Sequence, residues 1–271
     1  MRSVQCSLRM SNNNNSEYRG LKIHAIPSLH EQCMALIEGL RLPKTAKVLD
    51  LGAGEGAFSQ RMLDAGLNVN AAEQDPGRFR LEIPCQNINL NHDFSDKWNE
   101  KFDLIVAIEI LEHLHDPRHF ISNALQALSS NGFLLITSPN TESWLSRIRF
   151  LRDGHFLWFD ETDYHSYGHL TPIFSWQIRQ ICRELGAELV QVSNTKDSLL
   201  RQRLGDTWLG KLKNKSFYLR ALYPLMKGRK DGEVNLYLIR KVTSPQESKA
   251  QNPFLCLLCF FVANYLCFFV A

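Results

Sequence analysis

Two periodicities alternate along most of this chain. Short strand-like runs at 46–51, 68–72, 86–89, 103–108 and 131–137 are separated by segments whose apolar residues recur every three or four positions. The second kind predicts helices at 28–40, 57–65, 117–129 and 174–185, with Asp116 as cap and Pro117 at the first helical position of the third. Strand-helix alternation of this sort builds parallel βαβ units, so the pattern predicts an α/β, doubly wound sheet. Two later strand-like runs, Glu188–Ser193 and Glu233–Val242, extend it.

The remaining segments break the pattern. Residues 1–24 are polar, with an asparagine run at 12–15, and predict a disordered leader ahead of a domain at 25–245. An insertion at 143–173 carries Phe150, Phe156, Trp158, Phe159, Tyr164 and Tyr167 among titratable residues. Two readings stand for it, a lid that excludes water and grips a ring or isoprenoid, and a packed helical hairpin with a solvated polar side. A second insertion, 199–230, has nine lysines and arginines interleaved with Trp208, Phe217, Tyr218 and Tyr223. It suits an anionic lipid surface, although single-stranded RNA also uses cations with aromatics, or else it is an ordinary capping pair of helices.

Residues 253–271 are almost uninterruptedly apolar, preceded by Arg240, Lys241 and Lys249. That run reads as a C-terminal membrane anchor or as an extension foreign to the native frame. With 271 residues and 44% apolar content the chain buries a full core, and its net charge of +3 favours no nucleic-acid partner. Seven cysteines without framework spacing indicate a reducing compartment, so a cytoplasmic catalytic domain is expected, held at a membrane if the tail is an anchor. Cys256 and Cys259 lie inside the apolar run without a second ligand pair, which argues against zinc there.

Chemistry enters at Val48–Ser59, an apolar strand that runs into Gly52-Ala53-Gly54-Glu55-Gly56 and then a helix. Glycines let the backbone approach a ligand closely, while the first amides of the helix point outward. The spacing Gly52, Gly54, Ala57 also satisfies a dinucleotide fingerprint, so a nicotinamide-dependent oxidoreductase is one reading. Asp50 favours the other: a carboxylate at the strand end balances a cationic ligand such as S-adenosylmethionine and repels a pyrophosphate. Glu73 ends the next strand, 21 residues after Gly52, where a carboxylate accepts hydrogen bonds from ribose hydroxyls of either cofactor.

Taken with Phe102–Pro117 and Gly132–Asn140, these segments resemble the class I S-adenosylmethionine-dependent methyltransferases, most closely the branch containing the ubiquinone-biosynthesis O-methyltransferases. The resemblance covers about 25–195. It implies a Rossmann-like seven-stranded sheet, mostly parallel with an antiparallel last strand, and helical insertions after strands 5 and 6. It also implies that Gly52, Gly54 and Gly56 line the methionine end of the cofactor, that Glu73 takes the ribose and that Ile108 contacts the adenosine side. Many relatives carry Asp-Leu-Asn near the adenine; here the triplet is Asn89-Leu90-Asn91, so Asn89 offers an amide in place of an acid.

Methyl transfer to oxygen requires in-line alignment and removal of a proton. His113 and Glu109, at the carboxyl end of the fourth strand, are the candidate base and its partner, with His169 from the insertion as a second candidate. No ligand spacing near Glu109 and Glu112 is diagnostic, and no metal is expected. The combined expectation is methyl transfer from S-adenosylmethionine to a small or lipid-linked acceptor. The alternatives are the nicotinamide enzyme and a non-catalytic, membrane-associated scaffold of the same fold.

Overall fold

The structure is a computed structural model that describes residues 16–195 and 232–242. The expected basic-aromatic insertion at 199–230 and the apolar tail at 253–271 therefore lie outside the described residues. Among those described, no helix is long and apolar enough to cross a membrane.

Seven strands form the central sheet: β3 (Lys47–Leu51), β4 (Asn68–Glu73), β5 (Cys85–Asn87), β6 (Phe102–Ala107), β7 (Leu128–Pro139), β8 (Ala187–Asn194) and β9 (Val234–Lys241). Their spatial order is β5-β4-β3-β6-β7-β9-β8. Only β9 runs against its neighbours, antiparallel to both β7 and β8. The doubly wound, mostly parallel sheet with an antiparallel last strand is thus as the sequence predicts.

Adjacent positions on β3 serve opposite layers because side chains alternate across a strand. Val48 joins Leu29, Cys33 and Ile37 of α1 (Leu29–Gly39) and Phe58 and Met62 of α2 (Ala57–Asp64). Leu49 and Leu51 join Phe120 and Ile121 of α3 (Pro117–Ala127) and Ile178 of α6 (Ser175–Glu184). With both faces covered, the central strands β3 and β6 are buried along almost their whole length, which is why they read as runs rather than alternations, while the edge strands β5 and β8 are only partly buried. As expected, Asp116 caps α3 by accepting from the His119 N–H at 3.0 Å, with Pro117 in the first turn.

The 1–24 leader expected to be disordered is corrected from Ser16 onward. β1 (Glu17–Tyr18) and β2 (Leu21–Lys22) pair antiparallel. Surface chemistry holds this hairpin to α2 and the glycine turn before it: the Tyr18 hydroxyl donates to Asp64 at 2.7 Å, Arg61 lies over the Tyr18 ring, and the Lys22 N–H donates to Glu55. A polar composition lowers the gain from core burial, but here hydrogen bonds and a cation–π contact supply the order instead.

The insertion at 143–173 folds as α4 (Trp144–Asp153) and α5 (Glu161–Tyr167), joined by an Arg149–Asp160 ion pair of 2.7 Å and by stacked Phe150 and Phe156 rings. Its return to the sheet is stitched down. The amides of Leu170 and Thr171 both donate to the Glu112 carbonyl at 2.9 Å, and the Thr171 hydroxyl donates to the Leu114 carbonyl at 2.6 Å.

Candidate functional site

The sheet winds in opposite directions from β3 and β6, which are neighbours, with Asp50 paired to Val106. Such a switch point leaves a crevice at the carboxyl ends of the strands. The sequence places the glycine turn at one lip and Glu109-Ile110 at the other. They touch: a Cβ at Gly52 would lie 2.2 Å from the Ile110 Cδ1, and Gly52 has φ of +73°. Only glycine fits beneath that side chain with this backbone.

Backbone hydrogen bonds hold the turn against β4. Gly52 and Ala53 donate to the Ala72 carbonyl, and the Gly54 N–H donates to the Glu73 Oε2 at 2.8 Å. Glu73 Oε1 accepts from the amides of Gln74 and Asp75. Glu73 thus ties the turn to the strand end, and its carboxylate retains lone pairs for hydroxyl donors. Gly56 stands at the start of α2 with φ of +95°, and a Cβ there would meet Leu81 at 2.9 Å.

Asp50 lies beneath the turn, 2% exposed, accepting from the Ser59 hydroxyl at 2.6 Å. Burial lifts its pKa to about 6; the Ser59 bond opposes this and the nearby Glu73 adds to it. No cationic side chain among the described residues pairs with it. Two carboxylates around one glycine turn, one of them desolvated and without a counter-ion, suit a ligand that brings positive charge. Asn89 spends its side-chain oxygen on the Asn91 N–H, leaving its amide group to meet a ligand edge. Ile108 packs partly buried on the α1 side of the sheet.

Past β6 the chain turns sharply. Glu109 has φ of +54°, uncommon outside glycine, and exchanges hydrogen bonds with Thr137: its N–H donates to the Thr137 Oγ1 at 2.8 Å, which donates to Glu109 Oε1 at 2.9 Å. Burial raises the Glu109 pKa to about 7; the Thr137 bond opposes the rise, and Glu233 reinforces it. A 3-10 turn, Leu111–His113, follows.

There the structure gathers residues from two distant segments. The His113 and His169 rings lie 5.0 Å apart, edge to face. His113 Nδ1 faces the Gly168 carbonyl at 3.2 Å and His169 Nδ1 faces the Trp158 carbonyl at 2.8 Å. Burial lowers both imidazole pKa values. For His113 the neighbouring His169 lowers it further, against the carbonyls of Gly168 and Glu109; for His169 the Trp158 carbonyl and Asp163 oppose the shift. Phe159 and Tyr167 flank His169. The candidate base and its runner-up are therefore parts of one site.

The glycine turn resolves into one end of the crevice and this cluster into the other, and a methyltransferase-domain profile matches residues 26–192, which span both. The chain belongs to the S-adenosylmethionine-dependent methyltransferases. That membership decides between the two cofactors the glycine spacing left open. Similar proteins include the ubiquinone biosynthesis O-methyltransferases of Erwinia tasmaniensis, 27% identical across 47% of this chain and 66% of that protein, and of Idiomarina loihiensis, 32% identical across 36% and 45%. The matched region thus spans less than two thirds of these relatives' length. The fold is shared with a methyltransferase from Archaeoglobus fulgidus (16% identity, TM-score 0.51, 78% of this chain and 94% of that one). It is also shared with phosphoethanolamine N-methyltransferase 2 of Haemonchus contortus in complex with S-adenosyl-L-methionine (17%, 0.51, 79% and 53%).

Several contributors to this candidate site escape sequence reading. Thr137 has a faint signal, a threonine-serine pair closing an apolar strand at the sheet's carboxyl edge. The carbonyls of Trp158 and Gly168 have none, since any residue provides a carbonyl.

Proposed function

We propose that this methyltransferase transfers a methyl group from S-adenosylmethionine to a hydroxyl oxygen of a small or lipid-linked acceptor. The observation that carries the reading is the cluster of Glu109, His113 and His169 at the crevice edge that adjoins the glycine turn through the Ile110–Gly52 contact. An O-acceptor has a proton to lose, and these are groups that take protons near neutral pH. The O-methyltransferase names of the similar proteins support the same choice of atom.

Gly52, Gly54 and Gly56 would hold the methionine end of the cofactor, with Asp50 beneath to balance its charge, Glu73 for the ribose hydroxyls, and Ile108 and Asn89 for the adenosine. The cofactor supplies a methyl group already activated on a sulfonium. The protein's part is alignment and proton removal. With Nδ1 of His113 donating to the Gly168 carbonyl, Nε2 is left as the basic nitrogen, and the lowered pKa keeps it neutral. Phe159, Tyr167 and Trp158 offer a wall of rings for an aromatic or isoprenoid acceptor.

The test pairs calorimetric titration with S-adenosylmethionine, S-adenosylhomocysteine and NAD with radiolabelled methyl transfer to hydroxylated quinone and isoprenoid-phenol acceptors. Selective binding of the first two, with label on oxygen, supports the reading. His113→Ala should lower turnover by 10²-fold or more and leave cofactor affinity within a factor of about two. Cofactor binding without transfer to any hydroxyl acceptor would favour a scaffold, and near-normal turnover in His113→Ala would remove it as base.

A further inference from the structure

The methyl-transfer reading gives Asp50 to the positive charge of the cofactor and Glu73 to its ribose, which leaves the cofactor's own carboxylate without a partner. Asp50, Glu55 and Glu73 all lie on or beside the glycine turn. A ligand carboxylate held there needs hydrogen-bond donors and positive charge to offset theirs.

The amino-terminal hairpin brings both. His24, two residues past β2, lies against the turn: a Cβ at Gly54 would have the His24 Cδ2 as its nearest neighbour, at 3.8 Å. The side chain is exposed, and neither ring nitrogen has a hydrogen-bond partner among the described residues. Partial desolvation lowers the imidazole pKa, Lys22 and Arg78 lower it further, and Glu55 and Glu73 oppose them. Both acids are engaged by protein donors. Glu55 accepts the Lys22 N–H at 3.0 Å and pairs with Arg80 at 3.5 Å, and Glu73 holds the amides of Gly54, Gln74 and Asp75. The Lys22 ammonium and the Arg78 guanidinium, by contrast, form no ion pair among the described residues.

The ring is held in place from both sides. Ahead of it, the Tyr18 hydroxyl and the Arg19 guanidinium bind Asp64 of α2 at 2.7 and 2.8 Å, and the Ile23 N–H donates to the Ser16 carbonyl. After it, Ala25 and Ile26 pack partly buried on the layer that holds α1 and α2. None of these contacts uses the imidazole. The fold thus fixes where the ring stands and leaves its nitrogens for a ligand, the arrangement expected of a preorganised binding group.

We propose that His24 is a cofactor-contacting residue: its ring N–H donates to the carboxylate at the methionine end of S-adenosylmethionine, with Arg78 and Lys22 supplying positive charge beside it. The proposal rests on the placement of the cofactor along the glycine turn. A neutral imidazole is sufficient as donor, in keeping with the lowered pKa, and the two cations provide the charge it lacks. The hairpin then serves the negative group of the cofactor as Asp50 serves its positive ones. A ligand without the carboxylate loses this contact and keeps those of the ribose and adenine.

The experiment is calorimetric titration of the full chain with S-adenosylmethionine and with decarboxylated S-adenosylmethionine, which lacks only the carboxylate. The wild type is expected to prefer the first by about tenfold or more. His24→Ala should weaken S-adenosylmethionine binding by about tenfold and change that of the decarboxylated ligand by no more than a factor of about two. His24→Gln, which keeps an N–H donor, should recover most of the loss, and Arg78→Ala should lower affinity for the carboxylate-bearing ligand alone. Thermal unfolding without ligand should be the same in His24→Ala as in wild type, since the ring has no partner to lose. A wild type with no preference between the two ligands, equal weakening of both by His24→Ala, or unchanged affinity for both would overturn the proposal and leave the cofactor reading standing. A wild type that binds neither ligand would overturn the cofactor reading and the proposal with it.

Discussion

Asp50→Asn separates what stabilises this fold from what equips it to bind. Asp50 is buried and accepts a hydrogen bond from the Ser59 hydroxyl, and burial raises its pKa from 3.8 to about 6. The folded value lies above the unfolded one, so the native state holds the proton more tightly. This group's contribution to stability is fully present below about pH 4 and is lost as the pH rises through about 6. The rise corresponds to about 3 kcal/mol between the acid and neutral limits. Asparagine removes the charge and can still accept from Ser59, but a neutral bond replaces a charge-assisted one, and the new amide N–H groups need partners. Those losses return about 1 kcal/mol. The variant is therefore expected to be more stable than wild type by about 2 kcal/mol at neutral pH, seen as a higher urea midpoint at unchanged slope, with the advantage vanishing towards pH ~4. Cofactor affinity should move the other way, falling about tenfold or more, or about 1.4 kcal/mol. A variant no more stable than wild type at neutral pH would refute the buried-charge argument, and unchanged affinity would refute the charge balance.

Three further expectations follow from other contacts. Gly52→Ala drives a Cβ into Ile110 at a positive φ, so it should cost about 1–3 kcal/mol in thermal unfolding and weaken cofactor binding by calorimetry. Thr171→Val removes the hydroxyl bond to the Leu114 carbonyl and loosens the loop that carries His169. Stability should fall by about 1 kcal/mol, with turnover reduced and cofactor affinity preserved. Truncation after Lys249 should leave cofactor binding intact and release the protein from sedimenting membranes, and a truncated chain that still sediments would exclude the apolar run as an anchor.

Much of this molecule is legible in its sequence because the information is local. A strand buried on both faces must be apolar along its length, an amphipathic helix must repeat every three or four residues, and Asp116-Pro117 can hardly be anything but a helix start. From those rules come the strand order's raw material, the doubly wound class and the glycine turn. Spacing singles out Glu73 but does not show that it holds the Gly54 amide. The hairpin at Glu17–Lys22 was missed because its order depends on Asp64, Arg61 and Glu55, residues more than thirty positions away.

The histidine end of the candidate site shows the limit most clearly. Sequence alone marks His113 and Glu109 as titratable residues at the carboxyl end of a strand and His169 as one in the insertion, since residue type and strand position are both local properties. Tertiary structure decided that His169 returns to lie against His113, that Glu112 is sealed in without a partner, and that Asp50 faces Ser59 under the turn. Those facts depend on desolvation and on carbonyl groups that every residue possesses, which acquire meaning only once the chain is packed, across nine residues for Asp50 and Ser59 and across fifty-five for His113 and the Gly168 carbonyl.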